Sequence, residues 1–257
     1  MKLNLQLRAC LFLAGLLATP AGLLNAEAQA AQAQGALRVG VAPNMPPMIF
    51  KEGKDIVGME ADLAQALGRE LGRSIVFVEL PWPDLLDALE ANKIDIVMSS
   101  MSVTRARQAR VNFSEPYLRV GQMALVRADS RGKLLGTGLA NHTVGVQKAT
   151  TSDMLVMQEF PKAKRKYFES GDEAAKALAK KKIDLYFSDS TLIWYLAGKY
   201  EASGLEAAPL VFSNETLAWA MRKSDANLLE SVNSALKKLM ASGELKRTLL
   251  RWIPKFE

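Results

Sequence analysis

The sequence predicts an α/β protein of two similar lobes, each a mainly parallel sheet flanked by helices, joined by a two-stranded hinge. Three observations predict it. Strands and helices alternate along the chain, one helix-turn-strand phrase occurs twice, and the final strand and helices have no counterpart after the first copy of that phrase. The phrase reads "ALEANKIDIVMSS" from Ala88 to Ser100 and "ALAKKKIDLYFSD" from Ala177 to Asp189. Ala-Leu, Lys-Ile-Asp, an apolar triplet and a Ser recur in register, as the end of an amphipathic helix, a short turn and a buried strand.

Taken in order, the chain opens with Lys2 and Arg8, an apolar run from Ala9 to Leu17, and small-residue sites at Ala26-Glu27-Ala28 and Ala28-Gln29-Ala30. This is the order of a secretory signal peptide, expected over residues 1–30, with an apolar core shorter than the roughly 20 residues of a membrane span. Cys10, the single cysteine, falls inside it, so the exported chain is expected to carry no thiol, disulfide or cysteine-based metal site. The remaining ~225 residues suffice for two lobes of ~100 residues each. The first is expected over 36–117 and 217–257, the second over 118–216.

In the first lobe "LRVGVA" reads as a strand and "GMEADLAQALGRELG" as a helix, with Leu63, Leu67 and Leu71 on one face and Gly72 as its C-terminal cap. "SIVFVEL" and "WPDLLDALEA" continue the alternation into the first copy of the phrase. "HTVGVQKATTSDMLVMQEF" begins the second lobe, which closes on the second copy. "ETLAWAMRK" reads as one more strand, and the last stretch as two helices, with Leu228, Val232, Leu236 and Leu239 as an apolar stripe broken at Ser242-Gly243. A chain that leaves lobe one near Tyr117 to Gly121 and returns near Ser213 to Leu217 accounts for these extra elements.

Lys and Arg number 33 against 27 Asp and Glu, a net charge of +6. The charges are dispersed, and the densest cluster, "PKAKRKYF" from Pro161, reads as a solvated loop, so no nucleic-acid partner is expected. Cys/His metal spacing and Gly-rich phosphate loops are absent from the sequence, so neither a metal nor a nucleotide cofactor is expected.

One stretch carries chemistry. In "SVTRARQARVNFSEPY", starting at Ser102, three arginines fall within six residues just after a buried strand. Thr104 suits the N-cap of a helix whose free N–H groups favour an anion, and Arg107 can present a planar guanidinium to a carboxylate. Arg105 and Arg110 are assigned to solvent or to surface acids. Such arginines ordinarily coat a solvated helix face; the difference here is a partner. Ligands of open α/β sheets bind beyond the carboxyl ends of the strands, so Ser100 and Asp189, which end the two copies, should face each other across a cleft. A cation at one wall and a carboxylate at the other match a small zwitterion.

These blocks, from Leu37 to Trp252, resemble the bacterial extracellular solute-binding proteins of the polar amino-acid type, which serve ABC importers. The "WPDLLDALEANKIDIVMSSMSVTRARQARVNFSEPY" block is the most specific. The resemblance implies a type II periplasmic-binding-protein fold; the signal peptide adds a periplasmic location, and the absence of any unexplained apolar helix makes a monomer the expectation. Such a protein captures a small zwitterion, an amino acid foremost, in the inter-lobe cleft and delivers it to an ABC permease in the inner membrane. It also implies that Arg107 binds the ligand α-carboxylate with help from Ser102 and backbone around Ser100, that Asp189 receives the α-ammonium, and that Thr150 adds a carboxylate hydrogen bond. Trp82 matches an aromatic that covers the ligand side chain, and Met45 lies in the flanking loop. With Met48 and Met101 these make a mostly apolar set, favouring an apolar or small ligand side chain over lysine or arginine.

The family often has Gly where this chain has Ser100, Ala149 and Thr151, and Ala42 stands where some members carry an acid. The alternative is an exported enzyme resembling cyclohexadienyl dehydratase on the same fold, which needs a placed general acid. The single histidine, His142, falls in a turn before a strand and reads as a surface residue. A binding protein that is not an enzyme is therefore the expectation.

Overall fold

The computed structural model describes residues 35–130 and 139–253, so the expected signal peptide over residues 1–30 lies outside the described residues. Strand β1 (Leu37–Val41) leads through β2 (Asn44–Met45), β3 (Ile49–Glu52) and β4 (Asp55–Val57) to helix α1 (Met59–Leu71). Then come β5 (Ile75–Glu79), α2 (Leu85–Glu90), β6 (Ile96–Val97), α3 (Arg105–Arg110) and β7 (Val111–Phe113). After β8 (Leu118–Val120) the chain builds β9 (Gln122–Arg127), β10 (Thr143–Val146), α4 (Thr151–Glu159), β11 (Lys164–Tyr167) and α5 (Gly171–Ala179). β12 (Leu185–Asp189), α6 (Ser190–Lys199) and β13 (Leu205–Val211) follow; β14 (Glu215–Leu217), β15 (Ala220–Arg222), α7 (Ala226–Ala241) and α8 (Glu244–Trp252) close the chain.

Two five-stranded sheets result, in the orders β5-β1-β6-β15-β7 and β11-β10-β12-β9-β13. In each, three strands run parallel, and one antiparallel strand, β15 or β9, joins them to an edge. In each sheet the antiparallel strand is the one entered directly from the crossing. The crossing itself is an antiparallel ribbon in which Glu215 opposes Val120 and Leu217 opposes Leu118. At its edge Gly121 admits no side chain: a Cβ there would lie 2.4 Å from the Ser213 carbonyl oxygen.

The segment expected as one strand, "ETLAWAMRK", is divided. β14 belongs to the ribbon and β15 to the first sheet, and between them Trp219 is fully buried and stacked on Tyr117 at 5.4 Å. Lys164–Tyr167 of the basic cluster is an edge strand with all four residues exposed, instead of a loop. Charge on an edge discourages further strand pairing.

The internal repeat is one of geometry. Asn92 and Lys181 both take left-handed backbone, with φ of 56° and 55°. Asn92 N–H donates to Leu89 and Lys93 to Ala88, as Lys181 does to Leu178 and Lys182 to Ala177. These are matched helix-ending turns. The Asp that follows does the same work twice: Asp95 accepts the Arg38 backbone N–H at 2.9 Å, and Asp184 that of Thr143 at 2.7 Å, each fixing the start of the neighbouring central strand.

α1 buries Leu63 and Leu67 completely and ends at Gly72, whose φ of 64° is left-handed. Val232, Leu236 and Leu239 of α7 are buried, Leu228 is half-buried, and the break falls at Gly243 with φ of 71°. No helix among the described residues is long and apolar enough to cross a membrane.

Candidate functional site

α3 begins as its residues dictate. Thr104 is extended, and its hydroxyl accepts the Arg107 backbone N–H at 3.3 Å. That cap turns Arg107 inward while Arg105 stays exposed and Arg110 pairs with Asp87 and Glu90 on the surface. Arg107 is only 8% exposed. Its guanidinium donates to the Ser102 carbonyl at 2.8 Å and to the Ala149 carbonyl, across the cleft, at 3.3 Å, and lies 5.2 Å from the centre of the Trp82 ring. Burial pulls its pKa below the ordinary arginine value, and the carboxylates of Asp189 and Glu215 oppose that fall. With five N–H donors and two spent on backbone, the guanidinium retains donors for a carboxylate.

Asp189 ends β12 and is buried. Its Oδ1 accepts from Gln122 Nε2 at 2.6 Å, and the same amide nitrogen donates to Thr151 at 3.0 Å. Burial pushes the Asp189 carboxyl up to about 7, Glu215 adds to the rise, and the Gln122 hydrogen bond and Arg107 charge oppose it. Thr150 caps α4 by accepting the Asp153 N–H and donates to the Gln147 carbonyl.

A narrow cleft between the sheets, with a free volume of only about 20 Å³, brings these residues together. Its walls hold Met45, Trp82, Ser100, Ser102, Arg107, Thr150 and Asp189, with Ser99, Gln147, Thr151, Ser152 and Ser188. Trp82 Nε1 donates to the Ala149 carbonyl at 3.1 Å and Asn44 Nδ2 to that of Glu169 at 2.6 Å, so the walls touch at the rim. The walls are rich in hydroxyls, contrary to the expected apolar character. Met48 and Met101 are excluded from them because both are packed in hydrophobic core, at 0% and 2% exposure. His142 also stands away from the cleft, half-buried, with Nδ1 3.0 Å from the Ala140 carbonyl oxygen.

Two positions where the resembling family often has Gly, Ser100 and Ala149, keep glycine-like backbone, with φ of 55° and 62°. The structure therefore retains the backbone path and places side chains on strained positions. At Ser100 the compensation is visible: its N–H donates to Glu60 Oε2, and Glu60 Oε1 accepts the Tyr117 hydroxyl at 2.7 Å. Glu60 is completely buried, and burial pushes its carboxyl up to about 7 against those hydrogen bonds.

Glu60, Gln122 and Glu215 are the residues that sequence reasoning misses. An acid in the first turn of a helix reads as a complement to the helix dipole, a Gln at a strand start carries no signal, and Glu215 reads as an ordinary strand residue. Only the out-of-pattern acid on the buried side of α1 offers a clue to Glu60.

A family model described as bacterial extracellular solute-binding proteins, family 3, matches residues 37–255. A probable histidine-binding protein of Neisseria gonorrhoeae is 29% identical over 237 residues, covering 90% of this chain and 88% of that protein. An arginine-binding periplasmic protein of Mannheimia haemolytica is 27% identical over 218 residues, covering 82% and 88%. The crystal structure of the ancestral amino acid-binding protein AncCDT-1, a precursor of cyclohexadienyl dehydratase, is similar with a TM-score of 0.79 and 33% identity, covering 88% of this chain and 99% of that one.

Proposed function

The chain belongs to the bacterial extracellular solute-binding proteins, family 3, and from that premise we propose that it captures an α-amino acid between its lobes in the periplasm and delivers it to an ABC permease of the inner membrane. The observation that carries the reading is the placing of Arg107 and Asp189, one from each lobe, on the walls of a single buried cleft. In this reading Arg107 takes the α-carboxylate with Ser102 and Thr150, and Asp189 takes the α-ammonium. Trp82 and Met45 flank the side chain.

The lobes are assigned to 36–117 with 217–257 and to 118–216, with residues 1–30 removed on export. They rotate about the ribbon of β8 and β14. Ligand binding shifts a pre-existing equilibrium toward the closed arrangement, which the permease reads. Capture without turnover is the proposed activity.

The test is a thermal-shift screen of the purified protein, since a ligand that binds only the folded state raises its melting temperature. The names of the relatives put arginine and histidine first, followed by the other amino acids and by prephenate-like cyclic acids. A shift with one or a few α-amino acids, lost in Arg107→Ala and Asp189→Ala, supports the reading. Silence across amino acids, with a shift or turnover on a cyclic acid, replaces it with the dehydratase alternative.

A further inference from the structure

Behind the cleft wall stands a carboxylate that the capture mechanism does not use. Glu215 lies on β14, in the ribbon that joins the lobes. The Ser213 hydroxyl donates to its Oε1 at 2.6 Å and itself accepts the Gln122 backbone N–H at 2.9 Å. The side chain of that same Gln122 holds Asp189. Glu215 Oε2 and Gln122 Oε1 are both buried and have no hydrogen-bond partner among the described residues. The Glu215 charge reaches both sides of the cleft, acting favourably on Arg107 and unfavourably on Asp189.

Charge around the cleft is therefore unbalanced. Arg107 is the single cation among the wall residues. Against it stands Glu215 behind the wall, with Asp189 on the wall and Glu60 behind it, whose raised carboxyls add their charge in part near neutral pH and fully above it. Ions in solution screen such buried charges poorly. A ligand carboxylate finds one guanidinium; a second carboxylate on the same ligand finds no second cation among the wall residues, whereas an additional ligand cation finds surplus negative charge. Glu215 belongs to the ribbon, so its field is present whichever way the lobes are set.

We propose that Glu215 is the charge-selectivity residue of this cleft, favouring amino acids with a cationic side chain and rejecting ligands with two carboxylates. It acts through the field and through Gln122, as a positioning residue that the ligand does not touch. This deepens the capture reading and rests on it. It also sets the cleft against prephenate-like dicarboxylates.

Titration calorimetry of the purified protein with arginine, glutamine and glutamate at one pH and ionic strength tests it, in the wild type and in Glu215→Gln. The amide oxygen of that variant still accepts from Ser213. In the wild type, arginine should bind most tightly and glutamate at least about tenfold more weakly than glutamine. In Glu215→Gln the gap between glutamine and glutamate should narrow on the order of tenfold, with glutamine itself little changed. A merely structural role would weaken all three ligands by one factor, and that result overturns the proposal. Wild-type binding of glutamate as tight as glutamine overturns it without any variant. Silence of the wild type toward all amino acids overturns the capture reading itself, and this inference with it.

Discussion

Replacing Glu60 by Gln removes a titrating group from the core while leaving its shape, and the expected consequence is a change in how stability depends on pH. Glu60 is completely buried, and its carboxyl is pushed up from 4.5 to about 7. A carboxyl raised in the folded state holds its proton more tightly there than in the unfolded chain. Its contribution to stability is thus fully present below about pH 4.5 and is lost as the pH rises through about 7. At about 1.4 kcal/mol per unit, this group alone should cost the wild type on the order of 3 kcal/mol across that window. Asp189, raised from 3.8 to about 7, acts in the same direction.

In Glu60→Gln the side-chain carbonyl can still accept from Ser100, and the amide can donate to the Tyr117 oxygen. Near pH 5 the variant should therefore lose only about 1 kcal/mol. Near pH 8, where the wild type holds a buried charge, the variant should equal or exceed it. Urea unfolding followed by tryptophan fluorescence at steps from about pH 5 to about pH 8 measures both curves. Parallel pH profiles for the two proteins would refute the assignment of the slope to Glu60.

Three further outcomes are expected. Arg107→Ala should weaken amino-acid binding by on the order of 2–5 kcal/mol in calorimetry, because the carboxylate then enters a buried site without its partner; normal binding would place the site elsewhere. Affinity for a zwitterion should fall as the pH drops below about 7, since Asp189 then takes up a proton and no longer faces the ammonium as a charge. Asp189→Asn should bind weakly at every pH, and a flat wild-type profile would contradict the ammonium role. Ala149→Gly should raise stability by about 0.5–1 kcal/mol by relieving a left-handed backbone, φ 62°, and an unchanged melting temperature would show that Ala149 carries no strain.

What the sequence made legible was local. The Thr104 cap, the Gly72 stop, the break at Gly243 and the doubled helix-turn-strand phrase each depend on residues within a few positions of one another, and each lies where the pattern puts it. The convergence of Arg107 and Asp189 was legible through the repeat, because matched strands end at matched heights. Burial of individual side chains was not. Met48 and Met101 are as apolar as Met45, yet only the packing of the first lobe decides that two of them fill core while Met45 reaches the cleft. Glu60 and Glu215 escape for a related reason: an acid becomes functional here by what surrounds it after folding, and the chain hints at it only through the place of Glu60 on the buried side of α1.

At Gly121 the outgoing and returning chains lie so close that a Cβ there would meet Val211 Cγ1 at 2.3 Å and the Ser213 carbonyl oxygen at 2.4 Å. Two struts fastened that closely behave as a strap and not as a plate: they resist sliding along their length but give way to bending and twist. A small turn at such a narrow line becomes a large displacement at the distant rim, where the Trp82 ring meets the Ala149 carbonyl. A methyl group at position 121 would force the struts apart, so in the proposed closure an atom the protein leaves out should help set how freely the lobes swing.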